Sequence, residues 1–157
     1  MTGLTYGTYI IYDTVAPTSA WVVSDHTEGT DYIKLAASPK RGWNVTFDDG
    51  VNDLPGGSQY AICMGSFSEQ YTIDDTATET QLGLIEKFVK RNTQATYAPY
   101  LYLVVCTADT PAVRNFYKNS ATPYAYMPVR ISGSNANWDE NNQTYKVRIT
   151  VTGCWSS

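Results

Sequence analysis

The chain has one histidine, His26, set between Asp25 and Glu28 in the segment DHTEGTD. An imidazole flanked by carboxylates is the first place to look for acid–base chemistry. A base also needs a nucleophile or proton donor within reach, and no Ser or Cys stands in a recognisable elbow around it. Gly29 marks the same segment as a turn, so His26 reads as a solvated turn residue unless folding brings it a distant partner. Asp48, Asp49 and Asp53 in DDGVND surround a glycine as calcium-loop carboxylates do, but the full D-x-D-x-D-G-x5-E spacing is missing. Asp139 and Glu140 in NANWDENNQ pose the same question, and a plain turn answers both. Nothing fixes the separation in space that a glycosidase carboxylate pair requires.

The remaining chemistry-bearing types are no more specific. Cys63, Cys106 and Cys154 are widely spaced and form no C-x-x-C pair, which argues against zinc. Each lies in or beside an apolar run, so three buried free thiols and no disulfide are expected. Gly56-Gly57 is not followed by Lys-Ser/Thr, and no dinucleotide fingerprint occurs. Lys40-Arg41 is a small basic pair, and Lys87, Lys90 and Arg91 read as cations at a helix end. The sequence thus names no catalytic, cofactor-binding or metal-ligating residue. The last candidates are aromatic: Trp138 in a polar stretch, with Tyr97, Tyr100, Tyr124 and Tyr126. Such residues pack locally, build subunit interfaces or line carbohydrate sites.

Composition narrows the classes. The 157 residues allow one domain, 1–157, with a proper core. Charged residues make up 17%, below the usual quarter, and the 13 tyrosines with many threonines favour strands. A net charge of −4 and a pI near 4.8 argue against nucleic-acid binding, which needs a basic patch. No run approaches the roughly 20 apolar residues of a membrane helix. The start of the chain is polar, with no signal-peptide pattern, so Asn44-Val45-Thr46 and Asn142-Gln143-Thr144 read as chance glycosylation matches.

Periodicity supplies the elements that would have to position any site. In TYKVRITVTGCW, Tyr145, Val147, Ile149, Val151 and Trp155 share one face and Lys146, Arg148, Thr150 and Thr152 the other, which predicts a long two-faced strand. YAYMPVRI before it predicts a partner strand, at an edge or bulged near Pro128, joined through a polar loop. Further strands are expected at 5–12, from Trp21, at 32–36, at 43–47, at 59–67 and at 100–106, with Asp48-Asp49-Gly50 as a turn. Leu82, Ile85, Phe88 and Val89 recur at helical spacing, and Thr76-Ala77-Thr78-Glu79 has the capping-box form, so one helix is expected at about 77–91. The fold class is mainly β: a β-sandwich or rolled split barrel with one flanking α-helix.

From Thr76 onward the order becomes suggestive: a capped helix (ETQLGLIEKFVKR), a buried strand (YLYLVV), a variable connection, then a closing hairpin with Tyr126, Ile131, Trp138, Tyr145, Val147 and Ile149 at its marked positions. This resembles the tail proteins of tailed bacteriophages, the group of tail tube and distal tail proteins. WVVSDHTEGTDYIKLAASPKRG looks, more loosely, like the opening hairpin and loop of distal tail proteins. The resemblance covers about half the chain and carries over no catalytic residue or cofactor. It implies a non-enzymatic virion protein, assembled in the host cytoplasm, that forms a homo-oligomeric ring, hexameric or pseudo-hexameric. It further implies other tail proteins as partners, and rings stacked around a channel through which DNA only passes. In such a ring Arg148 is expected to pair with a carboxylate of the neighbouring subunit. A carbohydrate-binding β-sandwich module of a receptor-binding or fibre protein is the alternative, on the strength of the aromatic content and the DDG and NANWDENN loops.

Overall fold

The computed structural model describes residues 1–37, 39–53, 59–92, 100–108, 112–119 and 121–155; for 40–53 and 59–68 it describes the backbone and its pairing. Among the described residues nine strands and one α-helix follow in the order β1 (Gly7–Tyr12), β2 (Tyr32–Leu35), β3 (Lys40–Asp53), β4 (Gln59–Ala77), α1 (Glu79–Asn92), β5 (Leu101–Cys106), β6 (Phe116–Tyr117), β7 (Pro123–Tyr124), β8 (Met127–Asp139) and β9 (Thr144–Gly153). Seven of them form one antiparallel sheet, β2-β1-β5-β8-β9-β4-β3, while β6 and β7 pair apart. The expected class holds: a mainly β, sandwich-like fold with one flanking helix.

The sandwich arises because β8 serves two halves. It meets β5 only at Met127 and Pro128, then turns to pair with β9 from Val129 to Asp139. The expected irregularity near Pro128 falls at Ser132, where the register shifts between Ile131 and Gly133. The β2-β1-β5 half contributes Ile10, Ile33, Leu35, Leu103 and Val105 to a buried cluster. The β8-β9-β4 half contributes Tyr71, Ile73, Val129, Ile131, Val147, Ile149 and Val151, and α1 adds Ile85 and Phe88. The period-2 reading of β9 is confirmed: Val147, Ile149 and Val151 are buried, and Lys146 and Arg148 are exposed. A second cluster on the far side of the first half joins Leu4, Tyr9, Ile11, Tyr32, Val104 and Cys106 to Trp21.

Several expectations change. Trp21 starts no strand. It lies 5% exposed in the second cluster, followed by a 3-10 turn at Val23–Asp25, and β2 pairs with β1 instead. Its packing value exceeded the strand propensity of its neighbours. Asp48-Asp49-Gly50 is not a turn but the middle of β3, opposite Met64, Cys63 and Ile62. The stronger breakers, Pro55-Gly56-Gly57, fall between the two strands. The polar loop after Ile131 is mostly strand, since β8 runs to Asp139 and only residues 140–143 turn. Residues 132–138 are exposed on both faces, so no apolar alternation marked them. The helix is capped by Thr78, whose Oγ1 accepts from the Gln81 amide at 3.3 Å, while Thr76 still belongs to β4. Thr78-x-x-Gln81 satisfies the same motif two residues later. The expected double burial of 59–67, and Tyr97, lie outside the described residues and side chains.

Candidate functional site

The outer face of the β8-β9-β4 half gathers the polar residues of three strands in register. Asp74, Arg148 and Asn135 form one row, and Thr76, Lys146 and Asn137 the next. Thr72, Thr150 and Gly133 make a third, and Thr152 donates to the Ser132 hydroxyl at 3.0 Å beside it. The period of 2 that sends Ile73, Ile149 and Val151 into the core necessarily sends these residues outward. Between the first two rows lies a shallow open basin of about 600 Å³, lined by Asp74, Asp75, Asn135, Asn137, Lys146 and Arg148.

The charges of this face are paired within the chain. Arg148 Nε donates to Asp74 Oδ1 at 2.7 Å and a terminal nitrogen to Oδ2 at 3.4 Å, a two-point contact. That bond and the carboxylate charge raise the guanidinium pKa further. The sequence expectation that Arg148 seeks a neighbouring subunit is therefore corrected: its partner is the register neighbour one strand away. Lys146 Nζ stands 3.8 Å from Asp139. Asp139 also accepts from the Asn142 side chain at 2.9 Å and the Asn141 amide at 3.1 Å. These bonds, that of Asn142 foremost, hold its carboxyl below the ordinary Asp value, and they explain Asp139 as the organiser of a turn.

The other candidates are dispersed. His26 Nδ1 lies 2.7 Å from the Val22 carbonyl, which can only accept, so Nδ1 carries the proton; the ring stacks on Trp21 at 4.4 Å. It is a packing residue on the loop side, not a solvated one. Asp48, Asp49 and Asp53 lie along β3, with side chains outside those described. Among the described residues, no three His, Cys, Asp or Glu side chains converge as metal ligands would. Cys106 is buried, its thiol donating to the Ala108 carbonyl, whereas Cys154 is exposed, against the expectation of burial; Cys63 lies outside the described side chains. Tyr102, Tyr124, Tyr126 and Trp155 pack on one another at 5.4–6.4 Å where the two halves part. Burial raises the Tyr102 and Tyr126 hydroxyl pKa values. Trp138 is half-exposed and rests edge-on against Tyr145 at 4.9 Å.

What the sequence did not mark is the state of the sheet's edges. The β2 edge is covered: Gln81 of α1 donates to the Lys34 carbonyl at 3.2 Å, and the Ala36 amide donates to Asp75 at 2.7 Å. Gly29 makes room for this docking, because with φ +85° a Cβ there would stand 2.9 Å from Leu84 Cδ2. The other edges are open among the described residues. From Gly133 to Asp139 β8 pairs only with β9, and β3 pairs only with β4. An open edge leaves every second N–H and C=O without a ladder partner.

No family model and no curated protein matches the chain. A solved structure described as the tail of an empty GTA particle, refined helically with C6 symmetry, includes a chain similar to it at 10% identity. The match has a TM-score of 0.49 and covers 83% of this chain and 88% of that one.

Proposed function

We propose that this protein is a non-enzymatic structural subunit of a phage-type tail, of the tail tube or distal tail kind. Copies join edge to edge into a ring, and rings stack around a channel that DNA traverses without being read. The observation that supports this most directly is the contrast between the edges. A helix and two side-chain bonds close β2, while among the described residues no further strand pairs with β8 from Gly133 to Asp139 or with β3, on opposite sides of the β8-β9-β4-β3 half. Two different open edges on one subunit make a head-to-tail contact, which closes into a ring when the rotation per subunit allows. Strand addition would supply the missing ladder bonds without requiring an apolar patch. The resemblance of the helix, strand and closing hairpin to tail proteins supplies the tail assignment, with virion location, assembly in the host cytoplasm and other tail proteins as neighbours.

The test is assembly. Purified protein is expected to form rings or tubes with an axial hole in negative-stain microscopy, and a matching mass in light scattering. Proline introduced separately at Ser134 and at Asn135 removes two adjacent N–H groups, one facing β9 and one facing the open edge. One variant should lose stability. The other should stay folded by circular dichroism and remain a monomer. Two variants that both assemble like the parent would refute the edge-joining account.

A further inference from the structure

The core face of the β8-β9-β4 half is not covered to its edge. Directly opposite residues of a ladder share a face, so Ser134 lies on the side of Ile149, Ala136 on that of Val147 and Trp138 on that of Tyr145. Ile149 and Val147 are buried, in the cluster that α1 enters with Ile85 and Phe88. Ser134, Ala136 and Trp138, one strand further out, are all exposed. The covering layer therefore stops at β9, and β8 carries a ledge on the same side. Trp138 ends the ledge at 51% exposure, a large apolar surface to leave in water. Its backing is fixed: the indole rests edge-on against Tyr145 at 4.9 Å, and the Tyr145 hydroxyl donates to Glu79 in the first turn of α1. Ser134 and Ala136 beside it are small, so the ledge is a shelf and not a filled surface.

Two properties indicate what covers it. The ledge and the unpaired edge are made by the same residues. From Gly133 to Trp138 the edge of β8 has neither a charge nor a proline, the usual devices that keep an exposed edge from pairing. A strand added there lies about 4.8 Å away, which sets its residue opposite Trp138 within about 5 Å on the same face. Whatever completes the ladder thus also lies against the indole. The second property is the absence of charge itself: residues 133–138 hold no cation, so the ledge offers a polyanion or an anionic lipid surface nothing to pair with. An uncharged strand edge with one tryptophan suits another protein strand, and tryptophan is enriched among the few residues that carry most of an interface's energy.

We propose that Trp138 anchors the subunit contact: a strand of a second copy of this chain pairs with β8 from Gly133 to Trp138 and lays an apolar side chain over Ala136 against the indole. The inference rests on the self-assembly reading and adds the residue and the face that hold the contact. In the full chain, followed by sedimentation across a concentration series, Trp138→Ala should raise the concentration needed for assembly about tenfold or more, with the fold unchanged by circular dichroism. Asn137→Ala, one residue away on the opposite face, should assemble within about twofold of the parent. Radical footprinting read by mass spectrometry needs no variant to fold. In the parent, Trp138 should be modified in the dilute monomer and protected in the assembly, with the buried Trp21 protected in both. If the parent assembles and Trp138 is modified alike in both states, the anchor is overturned while edge joining, tested by the proline variants, stands. The same holds if Trp138→Ala follows the parent, or if Asn137→Ala fails as badly as Trp138→Ala. Protection of Trp138 by added neutral sugars, with none on assembly, assigns the ledge to a glycan and also overturns the proposal. A parent that stays monomeric at every concentration sinks both readings.

Discussion

Phe88→Ala tests whether the flanking helix belongs to the core of the single subunit. Phe88 is 1% exposed, and with Ile85 it forms the face of α1 that enters the main cluster; Leu82 and Val89 flank it, half-buried. A buried phenylalanine removes about 150–250 Å² from water, most of it in the ring. At about 25 cal/mol per Å², losing about 150 Å² costs about 4 kcal/mol, and alanine's better helix propensity returns about 0.5 kcal/mol. The expected loss of about 3–4 kcal/mol sits within the usual range for this truncation and is a large share of a domain's roughly 5–15 kcal/mol. The assay is urea unfolding at a concentration where the protein is monomeric, with the slope unchanged so that the midpoint shift reports stability. Lys87→Ala, one residue away on the exposed face, should stay within about 0.5 kcal/mol. A loss below about 1 kcal/mol for Phe88→Ala would refute the packing argument, because a side chain so enclosed cannot leave cheaply unless the helix is held by another subunit.

Three further outcomes follow from local geometry. Thr78→Ala should cost about 1 kcal/mol by orphaning the Gln81 amide, while Thr76→Ala, outside the helix, should cost clearly less; equal losses in thermal melts would return the cap to Thr76. Cys154 should react with a thiol reagent in the native state and Cys106 only on unfolding, so a native protein in which both react at the same rate contradicts the burial of Cys106. Asp139 should titrate below the ordinary 3.8, and Asn142→Ala should move it up, both read by NMR of the carboxyl carbon. Its folded-state value is the lower one, so its stabilising effect is present above the unfolded value and is lost as pH falls through the folded one; an unmoved midpoint in Asn142→Ala would show that the turn bonds are not the cause.

The sequence was most legible where one face of an element is buried. β9 and α1 announce themselves because Val147, Ile149 and Val151, or Ile85 and Phe88, repeat at the period of their element, and β5, buried on both faces, shows as a continuous apolar run. It was least legible where neither face is buried. Ser132 to Trp138 is strand by backbone pairing alone, and its mixture of Ser, Gly, Asn and Ala looks like loop. The length of β3 was hidden by its local turn signal, since Asp48-Asp49-Gly50 outweighed the pairing that runs through it. Trp21 failed differently: a large side chain anchored an irregular segment onto the sheet, and no local period reports such a contact. The candidate surface was half visible. Its residues on β9 follow from alternation, but their partners Asp74 and Asn135 lie 74 and 13 residues away and are brought in only by register.

The pairing of Arg148 with Asp74 bears on where subunits would meet. Had the arginine faced outward without a partner, the flat polar face of β8, β9 and β4 would have been the natural contact, since burying an unpaired charge is costly and a neighbour's carboxylate would relieve it. With the charge met inside the chain, and Lys146 near Asp139, that face has little to gain from a second protein. The outward ladder groups of β8 from Gly133 to Asp139 and of β3 have more to gain, because among the described residues no strand pairs with them on that side. A ring joined at those edges leaves the face between them uncovered and turned to one side of the wall. The described side chains of that face include Arg130, Lys146 and Arg148 against Asp74 and Asp139. Three described cations against two carboxylates leave those side chains near balance, so a wall built from them would neither attract nor repel a polyanion strongly there.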